Sequence, residues 1–132
     1  MAINVLEGRR VLVAEDEYTI AVFLSDYLEE KGVEVVGPVG SLLDAIDLVG
    51  RQPLDAALLD INLGGDLVYP LADRLVEAGV PFVLTSGYED NIPARFAHYP
   101  RCAKPYRLET LSGTLESMLE SPASTPADSP AG

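Results

Sequence analysis

The segment PLDAALLDINLGG, Pro53 to Gly65, decides the fold. Its apolar run Ala56-Ala57-Leu58-Leu59 stops at Asp60, and Asn62 and a Gly-Gly turn follow. A short apolar run closed by turn residues reads as a strand buried on both faces, as in a parallel sheet. In open α/β sheets ligands bind beyond the carboxyl ends of the strands. A carboxylate on the last residue of such a strand is aimed at the place where chemistry would occur.

Before this strand the chain runs strand, helix, strand, helix. Residues 1 to 8 read as a short leader, and Arg10 to Ala14 as a buried strand ending in Glu15-Asp16-Glu17. Ile20, Phe23, Leu24, Tyr27 and Leu28 then share one helical face, and Gly32 stops that helix. Val33 to Val36 is a second strand. Ser41 caps a helix through about Val49, with Asp44 at the capping-box position.

After the central strand a loop leads to a helix with Pro70 in its first turn. Its apolar face is Leu71, Leu75 and Val76, and Gly79 ends it. Phe82 to Ser86 is a fourth strand, broken by Gly87. Pro93 and Pro100 leave residues 88 to 100 room for a turn or two of helix around Ala94 to Ala97. Arg101 to Lys104 is a short fifth strand, and Leu108, Leu111, Leu115, Met118 and Leu119 form the buried face of a last helix. The segment SPASTPADSPAG, 121–132, lacks large apolar residues and reads as a disordered tail behind a folded unit of residues 1–120. Strands alternating with amphipathic helices predict a parallel, doubly wound α/β sandwich with right-handed crossovers.

The whole sequence narrows the function classes. Its 132 residues suffice for one core, and a formal net charge of −12 disfavours direct binding to nucleic acid, although it also serves solubility. The single cysteine, Cys102, cannot form an internal disulfide and reads as core filler. With no signal peptide and no apolar run of membrane-spanning length, the expectation is a soluble cytoplasmic protein without a membrane partner. His98, the one histidine, lies in a Pro-bounded loop without the helical context of a phosphodonor. Gly37-Pro-Val-Gly40 is not a nucleotide-binding glycine motif.

Four strand ends carry polar groups: Glu15 and Asp16, Asp60, Ser86 and Lys104. If the first and third strands are neighbours, three carboxylates crowd one pocket and repel one another. A hard divalent cation resolves this, and Mg²⁺ takes one or two carboxylates plus water and phosphate oxygens; the backbone carbonyl of Asn62 could complete the shell. The set suits phosphoryl transfer to a carboxylate. Asp60 is the nucleophile, already deprotonated at neutral pH, while the cation, Lys104 and Ser86 neutralise the transferring group. Plainer readings exist: acids at a helix N-terminus, a turn aspartate, a loop hydroxyl, a solvated lysine. The conjunction of all four at strand ends favours the site. A cis bond at Lys104-Pro105 is worth testing.

With these residues assembled, the chain resembles a receiver domain of two-component response regulators over about residues 9 to 120. The motifs are VLVAEDE (11–17), ALLDINLGG (57–65), LTSGY (84–88) and AKPY (103–106). The resemblance implies a flavodoxin-like, doubly wound five-stranded parallel sheet of order 2-1-3-4-5. Helices cover both faces, and the fourth is short or irregular. It implies Asp60 as phosphoacceptor, Glu15 and Asp16 as the acidic pair, Lys104 as the strand-five lysine and Ser86 (alternatively Thr85) as the hydroxyl. Asn62 and Tyr88 would tune dephosphorylation. The cofactor would be Mg²⁺. The partners would be a sensor histidine kinase or histidine phosphotransfer protein and a downstream protein, with the chain a monomer or weak homodimer. PFVLTSGYEDNIPARF…KPY is also similar to the alphaproteobacterial single-domain FATGUY group, with Leu84 for its Phe and Ser86 for its Thr.

Two departures stand out. Glu15 replaces the usual first Asp, so it would reach the metal through water or from a displaced position. Arg101 stands where many receivers place a switch aromatic, leaving Tyr88 or Tyr106 as substitutes. No effector domain follows the receiver-like part, so output is expected through protein contacts or by draining phosphoryl groups from a shared kinase. The rivals are a non-phosphorylated pseudo-receiver acting as a scaffold, and a small phosphatase or phosphotransferase. The second would want an acid two residues after Asp60, where Asn62 stands.

Overall fold

In the computed structural model, which describes residues 4–87 and 91–120, the apolar runs become the strands of one parallel sheet. The order along the chain is β1 (Arg10–Ala14), α1 (Tyr18–Glu30), β2 (Glu34–Val39), α2 (Leu42–Arg51), β3 (Ala56–Asp60), β4 (Asn62–Leu63) and β5 (Asp66–Leu67). Then come α3 (Tyr69–Ala78), β6 (Phe82–Ser86), a 3₁₀ turn (Ala94–Phe96), β7 (Arg101–Ala103) and α4 (Leu108–Glu120). The main sheet runs β2-β1-β3-β6-β7, which is the expected 2-1-3-4-5 once the two-residue strands β4 and β5 are set aside. This is the flavodoxin-like doubly wound arrangement. The expected disordered tail, 121–132, and Tyr88 lie outside the described residues.

β3 is central and every residue of it is buried, as is every residue of β6. Side-chain alternation sends Ala57 and Leu59 into one core with α2 and α3, and Ala56 and Leu58 into another with α1 and α4. Register pairs Asp60 with Thr85, and Val11 to Ala14 with Ala56 to Leu59. The carboxyl ends of β1, β3, β6 and β7 therefore open on one edge.

Local chemistry explains most boundaries. Ser41 Oγ accepts from the Asp44 N–H at 3.2 Å and caps α2. Pro70 lies in the first turn of α3, and Gly79 ends it at φ 73°, a conformation that favours glycine. Among the described residues, the expected turn or two after β6 is one 3₁₀ turn, anchored by buried Phe96, which stacks on Tyr69 and packs edge-on against Phe82 and Tyr99. Cys102 is buried as expected, and the Lys104-Pro105 bond is cis.

Several expectations need correction. The leader is part of the core: Leu6 is fully buried, and Gly8 N–H donates to Gly32 O at 2.8 Å. The second strand continues past Val36 to Val39, because an edge strand tolerates Pro38. Phe23 does not belong to the buried face of α1; it is 64% exposed, and Ala21, Leu24, Ser25 and Leu28 face inward. Val76 is likewise exposed, with Ala72 inside α3. The loop after β3 contains the β4–β5 hairpin.

Candidate functional site

Three acids meet at the strand ends. One carboxylate oxygen each from Glu15, Asp16 and Asp60 lies within 4.8 Å of the other two, with Glu15 and Asp60 buried and Asp16 exposed. Glu15 and Asp16 come together because β1 ends at Ala14, and Asp60 joins them because β1 and β3 are adjacent and in register.

Lys104 closes the cluster. The connection after β7 carries its ammonium over the acids, where Nζ donates to Asp60 Oδ2 at 2.9 Å and to Glu15 Oε1 at 3.5 Å. Burial pulls Lys104 down, but the hydrogen bond and charge of Asp60, with Glu15 behind them, leave it above its ordinary value. Glu15 also accepts from the Glu17 N–H at 3.0 Å. Burial is the main cause that pushes the Glu15 carboxyl up to about 7; the Glu17 bond opposes it and the Asp60 charge adds to it. The shorter of the two contacts, and so the firmer ion pair, is Lys104 with Asp60. Asp60 Oδ1 accepts from the Asn62 N–H at 3.3 Å, so both oxygens of this carboxylate are held.

The two hydroxyl candidates sit side by side and both are buried. Thr85 is the register partner of Asp60, while Ser86 lies one residue beyond it and accepts the Lys104 N–H on its backbone oxygen at 2.7 Å. Asn62 opens the β4–β5 hairpin, exposed at the rim. Arg101 is exposed on β7. His98 is exposed and tilted against Tyr99.

The donor set can be tested against Mg²⁺. Three oxygen ligands converge without sulfur or imidazole, which fits a hard cation that keeps several waters.

A second feature adjoins the acids. A groove of about 500 Å³ runs between α1 and the β7–α4 connection, lined by Ile20, Phe23, Lys104, Pro105, Tyr106 and Leu108. Its walls are apolar except for Lys104, which thus faces both the groove and Asp60. The Tyr106 hydroxyl is buried without a hydrogen-bond partner among the described residues. Burial, chiefly, pushes this phenol up to about 12, with the negative charge of Glu15 adding to it. The groove was not legible from the sequence. Phe23 falls within a plausible buried stripe, and only the folded structure shows its ring exposed at the groove.

Comparison with known proteins identifies the architecture. SdrG from Sphingomonas melonis Fr1 superposes with a TM-score of 0.73 at 33% identity, over 90% of this chain and 99% of SdrG. Its BeF3-activated conformation superposes with a TM-score of 0.70 at 32% identity. The chain belongs to the response regulator receiver family. The receiver domain of the sensor histidine kinase PA1611 from Pseudomonas aeruginosa has a magnesium ion coordinated in its active-site cleft. It shares the fold, with a TM-score of 0.76 and 22% identity over 86% of this chain and 99% of that one. The transcriptional regulatory protein PdtaR of Mycobacterium tuberculosis is 38% identical over 55 residues, 42% of this chain. That match spans about a quarter of PdtaR, 27% of its length. No family model matches the chain.

Proposed function

We propose that this receiver accepts a phosphoryl group on Asp60 from a phosphohistidine donor, a sensor histidine kinase or a histidine phosphotransfer protein, in a Mg²⁺-dependent reaction. The observation that carries the reading is the Lys104–Asp60 pair set among Glu15 and Asp16 at the carboxyl edge of the sheet. An isolated turn aspartate would need neither the buried acidic neighbour nor the lysine.

The chemistry follows from these side chains. Asp60 Oδ attacks phosphorus in line, the P–N bond to imidazole breaks, and the departing imidazole keeps its electron pair and takes a proton from water. Glu15, Asp16, Asp60 and the Asn62 carbonyl would hold the cation, which neutralises charge on the phosphoryl oxygens when bound. Lys104 leaves Asp60 for a phosphoryl oxygen as charge builds there, and Ser86 or Thr85 donates a hydroxyl to another. No general base is required, since the nucleophile is already a carboxylate. Asn62, and on the family resemblance Tyr88, would tune its hydrolysis.

The groove beside Lys104 suits the protein that carries the donor. A carrier docked over the groove would bring its phosphohistidine beside Lys104 and Asp60. That surface is apolar and includes exposed Phe23. Membership of the FATGUY-like single-domain group, a cytoplasmic location and output through protein contacts or as a phosphate sink complete the proposal. Incubation with a phosphorylated histidine kinase tests it. A hydroxylamine-sensitive acyl phosphate that appears on the wild type with Mg²⁺, and on neither the EDTA-treated protein nor Asp60→Ala, is the expected result. Label of equal intensity on Asp60→Ala would overturn it.

A further inference from the structure

Asp16 differs from the other two acids in how it is held. Glu15 and Asp60 are buried and tied to Lys104 and to backbone N–H groups, whereas Asp16 is exposed and its side chain makes no hydrogen bond or ion pair among the described residues. Its backbone, however, is packed. A methyl group placed at Gly40, in the β2–α2 turn, would lie 3.4 Å from Asp16 Cα and 3.8 Å from Glu15 O. A methyl group placed at Gly64, in the β4–β5 hairpin, would lie 2.8 Å from Gly40 O, closer than real Cβ atoms come to a backbone oxygen. Three turns thus touch through bare backbone: the one after β1 with Asp16, the one after β2 with Gly40, and the hairpin that begins at Asn62. Neighbouring Gly65 has nothing within 4 Å of its would-be Cβ.

We propose that Gly40 and Gly64 are positioning residues for the cation site, their backbone contact clamping the turn that presents Asp16 against the hairpin that presents Asn62. A ligand without side-chain support of its own is placed by its main chain, and this junction is what places it. The inference rests on the reading of Glu15, Asp16 and Asp60 as cation ligands. Residues that orient metal ligands typically change affinity by about 10- to 100-fold when altered.

The test uses the full chain and Mg²⁺ alone as the probe. Gly64 has φ 62° and Gly65 has φ 92°, so alanine strains the backbone at either position, but only Gly64→Ala also collides with Gly40. Mg²⁺ affinity is measured by calorimetry and the unfolding midpoint is measured in EDTA. The clamp predicts lowered midpoints for both variants but Mg²⁺ binding about tenfold weaker in Gly64→Ala than in Gly65→Ala. Gly40→Val is the second variant, at a position without positive φ, where the added carbons reach towards Asp16. It too should bind Mg²⁺ more weakly than the wild type. Equal affinity in Gly64→Ala and Gly65→Ala, or wild-type affinity in Gly40→Val should Gly64→Ala not fold, would overturn the clamp while leaving the cation site intact. A wild type that binds no Mg²⁺ would overturn the cation reading and the clamp with it.

Discussion

Lys104 Nζ lies 2.9 Å from Asp60 Oδ2, so the proposed phosphoacceptor is already paired with an ammonium ion. The same ammonium is the only positive group paired with the acid cluster among the described residues. It both neutralises the site and competes with a metal ion for it. Lys104→Met should therefore have opposite effects on binding and on chemistry. Mg²⁺ should bind about three- to tenfold more tightly, because a like charge has gone. Phosphoryl transfer to Asp60 should slow by about 10²-fold, because a charge-neutralising group has gone too. Calorimetry and a phosphorylation time course on one preparation check both.

Phe23 is expected to matter to a protein donor and not to a small one. Its ring is exposed at the groove, so Phe23→Ala creates no core cavity and should leave the unfolding midpoint unchanged. Phosphorylation by a small acyl phosphate should also be unchanged. Transfer from the phosphorylated kinase should slow by about 10- to 30-fold, the loss typical of an aromatic anchor at an interface. Parallel time courses with the two donors measure the split.

Tyr106 gives the pH prediction. Its phenol is pushed up to about 12 in the folded chain, mainly by burial, against about 10 in an unfolded one. The unfolded chain therefore loses this proton first, and stability falls as pH rises from about 10 towards 12. Below pH 10 the group is neutral in both states and the term is absent. Tyr106→Phe removes the titration and the unpartnered buried hydroxyl together. Its unfolding free energy should equal or exceed that of the wild type at pH 7, by up to about 1 kcal/mol, and the gap should widen above pH 10. Thermal unfolding of both proteins between pH 7 and 11 follows it.

Leu6 tests the corrected N-terminus. A fully buried leucine truncated to alanine leaves a cavity, so Leu6→Ala should lose about 2–4 kcal/mol in a denaturant titration. A free leader would make the change neutral.

What the sequence revealed and what it hid have physical causes. Ala56–Leu59 and Phe82–Leu84 were readable because a parallel strand is apolar on both faces, and such a strand aligns its last residue with its neighbours'. Asp60, Glu15, Asp16 and Lys104 could be gathered for that reason alone. Phe23 was misplaced because the periodic stripe counts large apolar residues, while α1 turns small Ala21 and Ser25 inward. Leu6 has no periodic companions, so nothing in its segment marks it as buried. The β4–β5 hairpin is too short to alternate. The Gly40–Gly64 approach joins turns distant in sequence, and a glycine does not announce what it touches. Phe96 lies between prolines, and its role came from three aromatic partners assembled only in space.

The central claim is that Asp60 is the phosphoacceptor. Intact mass after incubation with an acyl phosphate and Mg²⁺, wild type beside Asp60→Ala, tests it most directly. One added phosphoryl group on the wild type, absent in the variant and in EDTA, is the predicted result. No addition to a folded wild type with several donors, or an equal addition to Asp60→Ala, would contradict it.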